Sequence, residues 1–153
     1  MTTTLQSHLA DQTLKAVKDL EEALGRIPED KLHWSPEPSA RSAMSMIAEC
    51  GLLNDMSRML ASRSFPKDFD FAAWQGVRDE LAKDKEKAVA AMKEGAAKTA
   101  EAIRGVSADE MDQTIDLPWG PMTVAQICAY PSWNMAYHEG QINYIASILG
   151  TLP

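Results

Sequence analysis

Long apolar runs are missing from this 153-residue sequence. No stretch approaches the roughly 20 apolar residues that a membrane-spanning helix needs. The first 20 residues are polar and amphipathic, without the charged and then apolar segments of a signal peptide. We therefore expect a cytoplasmic protein that has no membrane partner.

Cysteine is also scarce: Cys50 and Cys128 are the two in the chain. Each stands in an apolar stretch with helical periodicity, where a free thiol usually behaves as a small hydrophobic group. Disulfides are rare in the cytosol. We predict that both thiols are reduced and structural.

Clustered positive charge is absent as well. The formal net charge is −7, and lysine and arginine are interspersed with acidic residues. Residues 83–87 form the densest basic stretch, but their charges alternate in sign, which is typical of a solvated helix face. Nucleic-acid binding requires basic residues that neutralise phosphates, so we expect no nucleic-acid partner.

Common catalytic and metal-binding motifs are missing too. The chain has no Cys-x-x-Cys, Gly-x-x-x-x-Gly-Lys, Gly-x-Ser-x-Gly or His-Glu-x-x-His pattern. A di-iron bundle is disfavoured because no Glu-x-x-His pair occurs.

What the sequence does contain is helical periodicity. Long periodic segments predict helices over about residues 4–26, 42–62 and 73–104, and a last helix that begins at the capping box of residues 123–126. Pro28, Pro36 and Pro38 indicate a loop between the first two helices. Residues 107–110 predict a short helical turn, and residues 114–121 a hairpin-like link. We predict one all-α domain over residues 1–153, a four-helix bundle.

The last helix has the most regular pattern. Its apolar seam advances alternately by four and three residues through Val124, Cys128, Pro131, Met135, His138, Ile142, Ile145 and Leu149. His138 lies within this seam, Asn134 lies one turn before it on the same side, and Gln141 follows three residues later. We expect these three polar residues to line any functional site.

Glu49 interrupts a second seam, which runs through Ser42, Met46, Leu53, Met56 and Leu60. A buried carboxylate costs several kcal/mol unless it is paired, protonated or bound to a metal. Glu49 and His138 could therefore face one another across the bundle, directly or through an ion or water. Two structural alternatives remain open: His138 is an ordinary core histidine, or a competing stripe through Met44, Ile47 and Gly51 turns Glu49 to the flank.

Three further residues have weaker signals. Pro131 removes one backbone hydrogen bond and should kink the last helix, either at a functional site or as tolerated packing. His8 could reach a site at its end of the first helix. His33 is expected to be exposed.

Several stretches together resemble the DinB-like (YfiT-type) superfamily along nearly the whole chain. The resemblance is carried by Leu-His-Trp-Ser-Pro at residues 32–36, by residues 41–49, by Trp-Gly and Met-Thr-Val within residues 119–124, and by Tyr-His-Glu-Gly-Gln-Ile at residues 137–142. Their order and spacing are more specific than any one stretch.

The resemblance implies an up-down-down-up bundle, often a homodimer, that binds a divalent metal through three histidines. Carried over by position, these ligands fall on Glu49, Asn134 and His138, so this chain retains one histidine of the three. The resemblance implies Zn or Ni as the metal held by three histidines, whereas a site of glutamate, asparagine and histidine would favour Mn, Fe or Mg over Zn. The site could also hold no metal.

Two functional hypotheses follow. In the first, the chain is a metal-dependent transferase, thiol-dependent as in several members of the family, or a hydrolase. Glu49 and His138 would hold the ion, Asn134 would assist, and a small-molecule substrate or thiol would enter near Trp34 and Trp119. In the second, a metal-free Glu49–His138 pair replaces the ion, and the bundle binds a small molecule or serves in structure or interaction.

Overall fold

The computed structural model describes residues 3–153 and confirms an all-α bundle. Its helices are α1 (Leu5–Gly25), α2 (Ala43–Ala61), α3 (Phe71–Leu81), α4 (Lys85–Arg104) and α5 (Val124–Leu149). Short 3-10 turns span Glu29–Lys31 and Ala108–Glu110, and two short strands, β1 (Thr114–Ile115) and β2 (Met122–Thr123), pair antiparallel. Within residues 3–153, no helix combines the length and apolarity needed to cross a lipid bilayer.

The helix ends are set by side-chain caps that the sequence displays. Thr4 and Ser42 accept hydrogen bonds from backbone N–H groups in the first turns of α1 and α2. Thr123 and Gln126 form the predicted capping box at the start of α5. Gly150 follows α5 in the left-handed conformation with a φ of 71°, which favours glycine. Local sequence therefore fixes these boundaries.

The predicted third helix, residues 73–104, is wrong in one respect: it is two helices, α3 and α4. The break lies at residues 82–84, where Asp84 adopts extended backbone angles and its carboxylate accepts a 3.0 Å hydrogen bond from Lys87 N–H. A short acidic side chain at this position competes with the helical backbone and caps the next helix. Residues 83 and 84 therefore lie in the junction between the helices, and residues 85–87 form the exposed first turn of α4. Val77 of α3 is 56% exposed, although the helical periodicity of residues 73–104 predicts it on the inward face.

The four long helices pack as a ring in which α1 and α2 occupy opposite corners, each against both α4 and α5. Helices α2 and α4 approach closely because Gly51 and Gly95 lie between them. A Cβ at Gly51 would lie 3.1 Å from Met92 N, and one at Gly95 would lie 3.2 Å from Gly51 O. This close packing encloses the core and places α2 beside α5.

The hairpin-like link and the loop after α2 close one end of the bundle. Phe65 stacks on Phe69, Phe71 lies edge-on to Trp119, and their ring centroids are 4.9 and 5.7 Å apart, respectively. The strands pair Thr114 with Thr123, which projects the Trp119 loop toward these rings. These loop aromatics cap the bundle end.

Both cysteines are free and buried, in agreement with their predicted structural role. Burial raises the pKa of the Cys50 thiol, and it raises that of Cys128 to about 11. Both therefore stay protonated at neutral pH, a state in which a thiol is a poor nucleophile and a poor metal ligand.

Candidate functional site

Glu49 of α2 and His138 of α5 meet across the bundle. Oε1 of Glu49 lies 3.0 Å from Nε2 of His138. The histidine is 3% exposed, and the side chain of Glu49 is 15% exposed. Met44, Ile47 and Gly51 are buried too, since α2 is covered on most sides, but this does not turn Glu49 away. The direct form of the expected contact is therefore present.

Arg41 hydrogen-bonds the second carboxylate oxygen of Glu49. Its Nη1 donates a 2.5 Å hydrogen bond to Oε2 of Glu49, and its Nη2 donates a 2.8 Å bond to Ser45 O. Sequence reasoning missed this partner because Arg41 stands in the proline-rich loop before the helix. The proximity of Arg41 to the N-terminus of α2 was the available signal, since its long side chain folds back along the first turns.

Gln141 completes the hydrogen bonds of the histidine ring. Its side-chain oxygen lies 2.6 Å from Nδ1 of His138. An ionised carboxylate can only accept, so the contact with Glu49 places a proton on Nε2 of His138. The amide of Gln141 can accept from Nδ1 through its oxygen or donate to it through its nitrogen. Gln141 therefore orients the ring in either protonation state.

The electrostatics of this group keep Glu49 ionised. Burial by itself would raise the pKa of its carboxyl, but the hydrogen bond from His138 and the positive charge of Arg41 outweigh this effect and lower the pKa. The carboxylate is thus held as a fixed negative charge at neutral pH.

Asn134 is buried nearby, but its hydrogen bond goes elsewhere. Its Oδ1 accepts a 3.5 Å hydrogen bond from the Cys50 thiol. Of the three residues that the sequence suggested as metal ligands, the structure thus joins Glu49 to His138 and pairs Asn134 with Cys50.

These residues do not fit a three-nitrogen metal site. Among residues 3–153, no group of three or more His, Cys, Asp or Glu side chains is placed to hold an ion. The imidazole and the carboxylate bond each other, and Arg41 already supplies a positive charge at the second oxygen. A catalytic zinc site needs three protein ligands and an open position. This group offers two candidate ligands, Glu49 and His138, and both already bond protein partners.

A cavity of about 520 Å³ opens beside Glu49. Most of its lining is apolar: Leu53, Met56, Leu60, Phe71, Trp74, Pro118, Trp119, Met122 and Ile127. Glu49, Ser57, Gln75, Arg78 and Tyr130 add polar groups. Trp119 lines the cavity as expected, but Trp34 does not. Trp34 packs instead against the buried apolar residues that α1, α2, α4 and α5 contribute to the core.

The remaining residues singled out in the sequence lie outside this cavity. His8 and His33 are exposed, and neither lines the cavity. Pro131 is buried within α5, which continues as one helix from Val124 to Leu149. The site therefore consists of Glu49, its hydrogen-bonding partners His138 and Arg41, Gln141 behind the histidine, and the cavity.

Comparisons with known proteins agree with this fold. The model of the DinB superfamily matches residues 12–142. A crystal structure of a conserved protein from Enterococcus faecalis superposes with a TM-score of 0.75 and 16% sequence identity, covering 95% of this chain and 96% of that chain. A search of the curated proteins gives no match. Because the family model covers most of the sequence, the chain belongs to the DinB superfamily.

Proposed function

We propose that this chain is a metal-free DinB domain that binds a small, mostly apolar molecule in the cavity beside Glu49. The observation that carries the proposal is the direct 3.0 Å contact between Glu49 and His138, with Arg41 on the other carboxylate oxygen. Glu49, His138 and Asn134, the side chains that could have held an ion, each hydrogen-bond a protein partner instead. A guanidinium takes the electrostatic role that a cation would have.

The charge state of Glu49 favours binding over proton transfer. An efficient general base has a pKa near the working pH, whereas Arg41 and His138 lower the pKa of this carboxyl. Glu49 therefore acts as a fixed acceptor at the cavity wall. A ligand with one N–H or O–H group on an apolar body would match it.

The dimensions and lining of the cavity support the same conclusion. Small-molecule sites are typically concave, about 300–1,000 Å³ in volume and largely apolar, with a few polar groups that orient the ligand. This cavity has about 520 Å³ and an aromatic rim that includes Trp74 and Trp119. Glu49, Gln75 and Arg78 supply the polar groups.

A fluorescent probe tests the binding. N-phenyl-1-naphthylamine has an aromatic body and one N–H group, and its emission rises in an apolar environment. We expect saturable binding at one site per chain. Gln75→Trp, at an exposed position of the lining, should fill the opening and weaken binding at least tenfold. Gln12→Trp places the same side chain on the exposed face of α1 and should change nothing. Equal affinities in all three proteins would refute the cavity as the site.

Metal titration tests the other half of the proposal. Protein purified without a histidine tag should show no heat of binding with micromolar Zn²⁺, Ni²⁺, Mn²⁺ or Fe²⁺. Stoichiometric binding that disappears in His138→Ala would instead support a metal-dependent transferase or hydrolase, with Glu49, Asn134 and His138 as ligands.

A further inference from the structure

Ser57 of α2 is a buried polar residue whose hydroxyl has no hydrogen-bond partner among residues 3–153. The residue is 3% exposed and lines the cavity. Within this described part of the chain, every side-chain nitrogen or oxygen that protein atoms enclose completely has a partner. The oxygen of Ser57 is therefore not enclosed, and the small exposed part of this residue lies on the cavity wall.

Other hydroxyl groups of the helices are satisfied locally. Thr13 donates to the carbonyl oxygen of Leu9 at 3.0 Å, and Ser132 donates to that of Ala129, also at 3.0 Å. Such a bond to the preceding turn is available to any serine within a helix, but Ser57 does not make it. Because buried polar groups rarely stay unpaired, a water or a ligand in the cavity has to complete this hydroxyl.

Ser57 and Glu49 are the two polar ends of one stripe on α2. Glu49, Leu53 and Ser57 follow one another at intervals of four residues, so they lie on the same side of the helix. All three line the cavity. Eight residues of helix separate the two polar ends by about 12 Å, and Leu53 between them is apolar. A molecule that bonds both ends must therefore be elongated, with an apolar middle.

The cavity wall around these two ends is suited to such an apolar middle. Its members on α2 and α5 form one buried apolar cluster, which consists of Leu53, Met56, Leu60 and Ile127. Trp74 of α3 packs against this cluster from the other side of the cavity. An aromatic or aliphatic body that lies along α2 would contact hydrocarbon on both sides.

Tyr130 of α5 has the other cavity hydroxyl without a hydrogen-bond partner in residues 3–153. Burial and the negative charge of Glu49 raise the pKa of this phenol, so it stays protonated at neutral pH. Tyr130 is partly exposed, whereas Ser57 is buried. Bulk water can therefore satisfy Tyr130, but only a molecule inside the cavity reaches Ser57.

We propose that Ser57 is the second polar anchor of the cavity, and that the ligand is an uncharged, elongated molecule with a hydrogen-bonding group at each end of an apolar body. Glu49 accepts from an N–H or O–H group at one end. Ser57, whose hydroxyl can donate and accept, bonds a hydroxyl or carbonyl oxygen at the other. A neutral ligand fits because Arg41 already pairs with Glu49. This inference rests on the proposed function and specifies the class of its ligand.

Two phenols that differ by one hydroxyl group test the second anchor. p-Phenylphenol has a hydroxyl at one end of a rigid apolar body, and p,p′-biphenol has one at each end. The affinity of each is measured by its displacement of N-phenyl-1-naphthylamine from the wild-type chain. We expect p,p′-biphenol to bind about tenfold more tightly, because it makes one additional net hydrogen bond.

Ser57→Ala should abolish this preference, so that both phenols bind with the affinity that p-phenylphenol has for the wild type. Its thermal midpoint should not fall, because no hydrogen bond within the protein is lost and alanine has the higher helix propensity. Ser132→Ala is the matched control. It removes a hydroxyl that bonds its own helix and lies outside the cavity, and it should keep the tenfold preference.

Three outcomes would overturn the inference while p-phenylphenol still displaces the probe and the proposed function stands. The first is a wild type that binds both phenols equally, as it would if water alone satisfied Ser57. The second is a Ser57→Ala variant that keeps the preference while Tyr130→Phe loses it, because the second end would then bond Tyr130. The third is a clear fall in the thermal midpoint of Ser57→Ala, which would show a structural hydroxyl. If neither phenol nor the probe binds, the proposed function fails together with this inference.

Discussion

The two faces of α5 invert the usual distribution of side chains. Its inner face buries His138 and Asn134, and both have hydrogen-bond partners on α2. Its outer face exposes Trp133, Tyr137 and Tyr144. Burying polar groups and exposing large aromatic ones both cost free energy in an isolated chain. The comparison teaches that the polar groups of the inner face find partners within the chain, in Glu49 and Cys50, whereas the aromatic rings of the outer face stay exposed in the described residues.

The largest expected effect is a difference in the free energy of unfolding between alanine variants of His138 and Tyr137, which are neighbours on opposite faces of α5. His138→Ala leaves Oε1 of Glu49 without its partner at a mostly buried site, although Arg41 still bonds Oε2. We expect it to lower the free energy of unfolding by about 3 kcal/mol. Tyr137→Ala should cost less than about 1 kcal/mol in the monomer. Urea denaturation of the two variants measures both losses. Similar losses would contradict the distinction between the faces.

A designed metal site sharpens the description of the inner face. Changing both Glu49 and Asn134 to histidine restores the three histidines that the family resemblance implies, while His138 is retained. We expect Zn²⁺ at about 100 times its dissociation constant to stabilise this double variant by about 2.7 kcal/mol and to leave the wild type unchanged in thermal melts. Glu49→His with Asn143→His is the matched control. Equal stabilisation of control and design would show that the geometry is not that of a metal site.

The pH dependence of stability tests the charge on the inner face. The pKa of Glu49 is lowered from its ordinary 4.5 in the folded state. As the pH falls, the unfolded chain binds this proton first, so the contribution of Glu49 is fully present above pH 4.5 and is lost as the pH falls through the folded-state pKa. The stability difference between wild type and Glu49→Gln should therefore shrink in that range. A difference that is constant with pH would exclude an ionised Glu49.

The smallest effect separates the two cysteines. Cys50→Ala leaves Oδ1 of the buried Asn134 without its donor. Cys128→Ala removes a thiol that is buried among apolar side chains such as Ala100 and Ile103. An unsatisfied buried acceptor costs about 1–3 kcal/mol, and a thiol is a weak donor. We expect Cys50→Ala to be more destabilising by about 1 kcal/mol. Equal values by urea denaturation would show that Asn134 gains nothing from Cys50.

Local signals in the sequence predicted much of the fold. Ser42 and Thr123 cap α2 and α5 at the predicted starts of these helices, and Thr4 caps α1 at its predicted first residue. Such starts are predictable because a cap depends on residues three positions apart. The same kind of signal at Asp84 was overlooked, since an alanine-rich periodic stretch surrounds it. The long third helix was predicted from periodicity, and a single capping side chain overrode it.

The site was predicted in part. His138 and Glu49 were identifiable because polar residues in apolar seams need partners. Arg41 was not identifiable as their partner. It lies in a loop whose path the sequence does not specify, and it bonds Glu49, eight positions further along the chain. The pairing of Asn134 with Cys50 was missed for a related reason: it depends on how α2 and α5 are rotated against one another.

The sequence by itself determined where most helices begin and end, which residues form the buried seam of α5, and that this seam contains a histidine. These properties follow from short-range hydrogen bonding and from the period of the helix. The tertiary structure decided which oxygen of Glu49 meets His138, that Arg41 takes the other, and that the aromatic face of α5 remains uncovered. Such contacts join residues far apart in the chain, and only the packing of whole helices sets their distances.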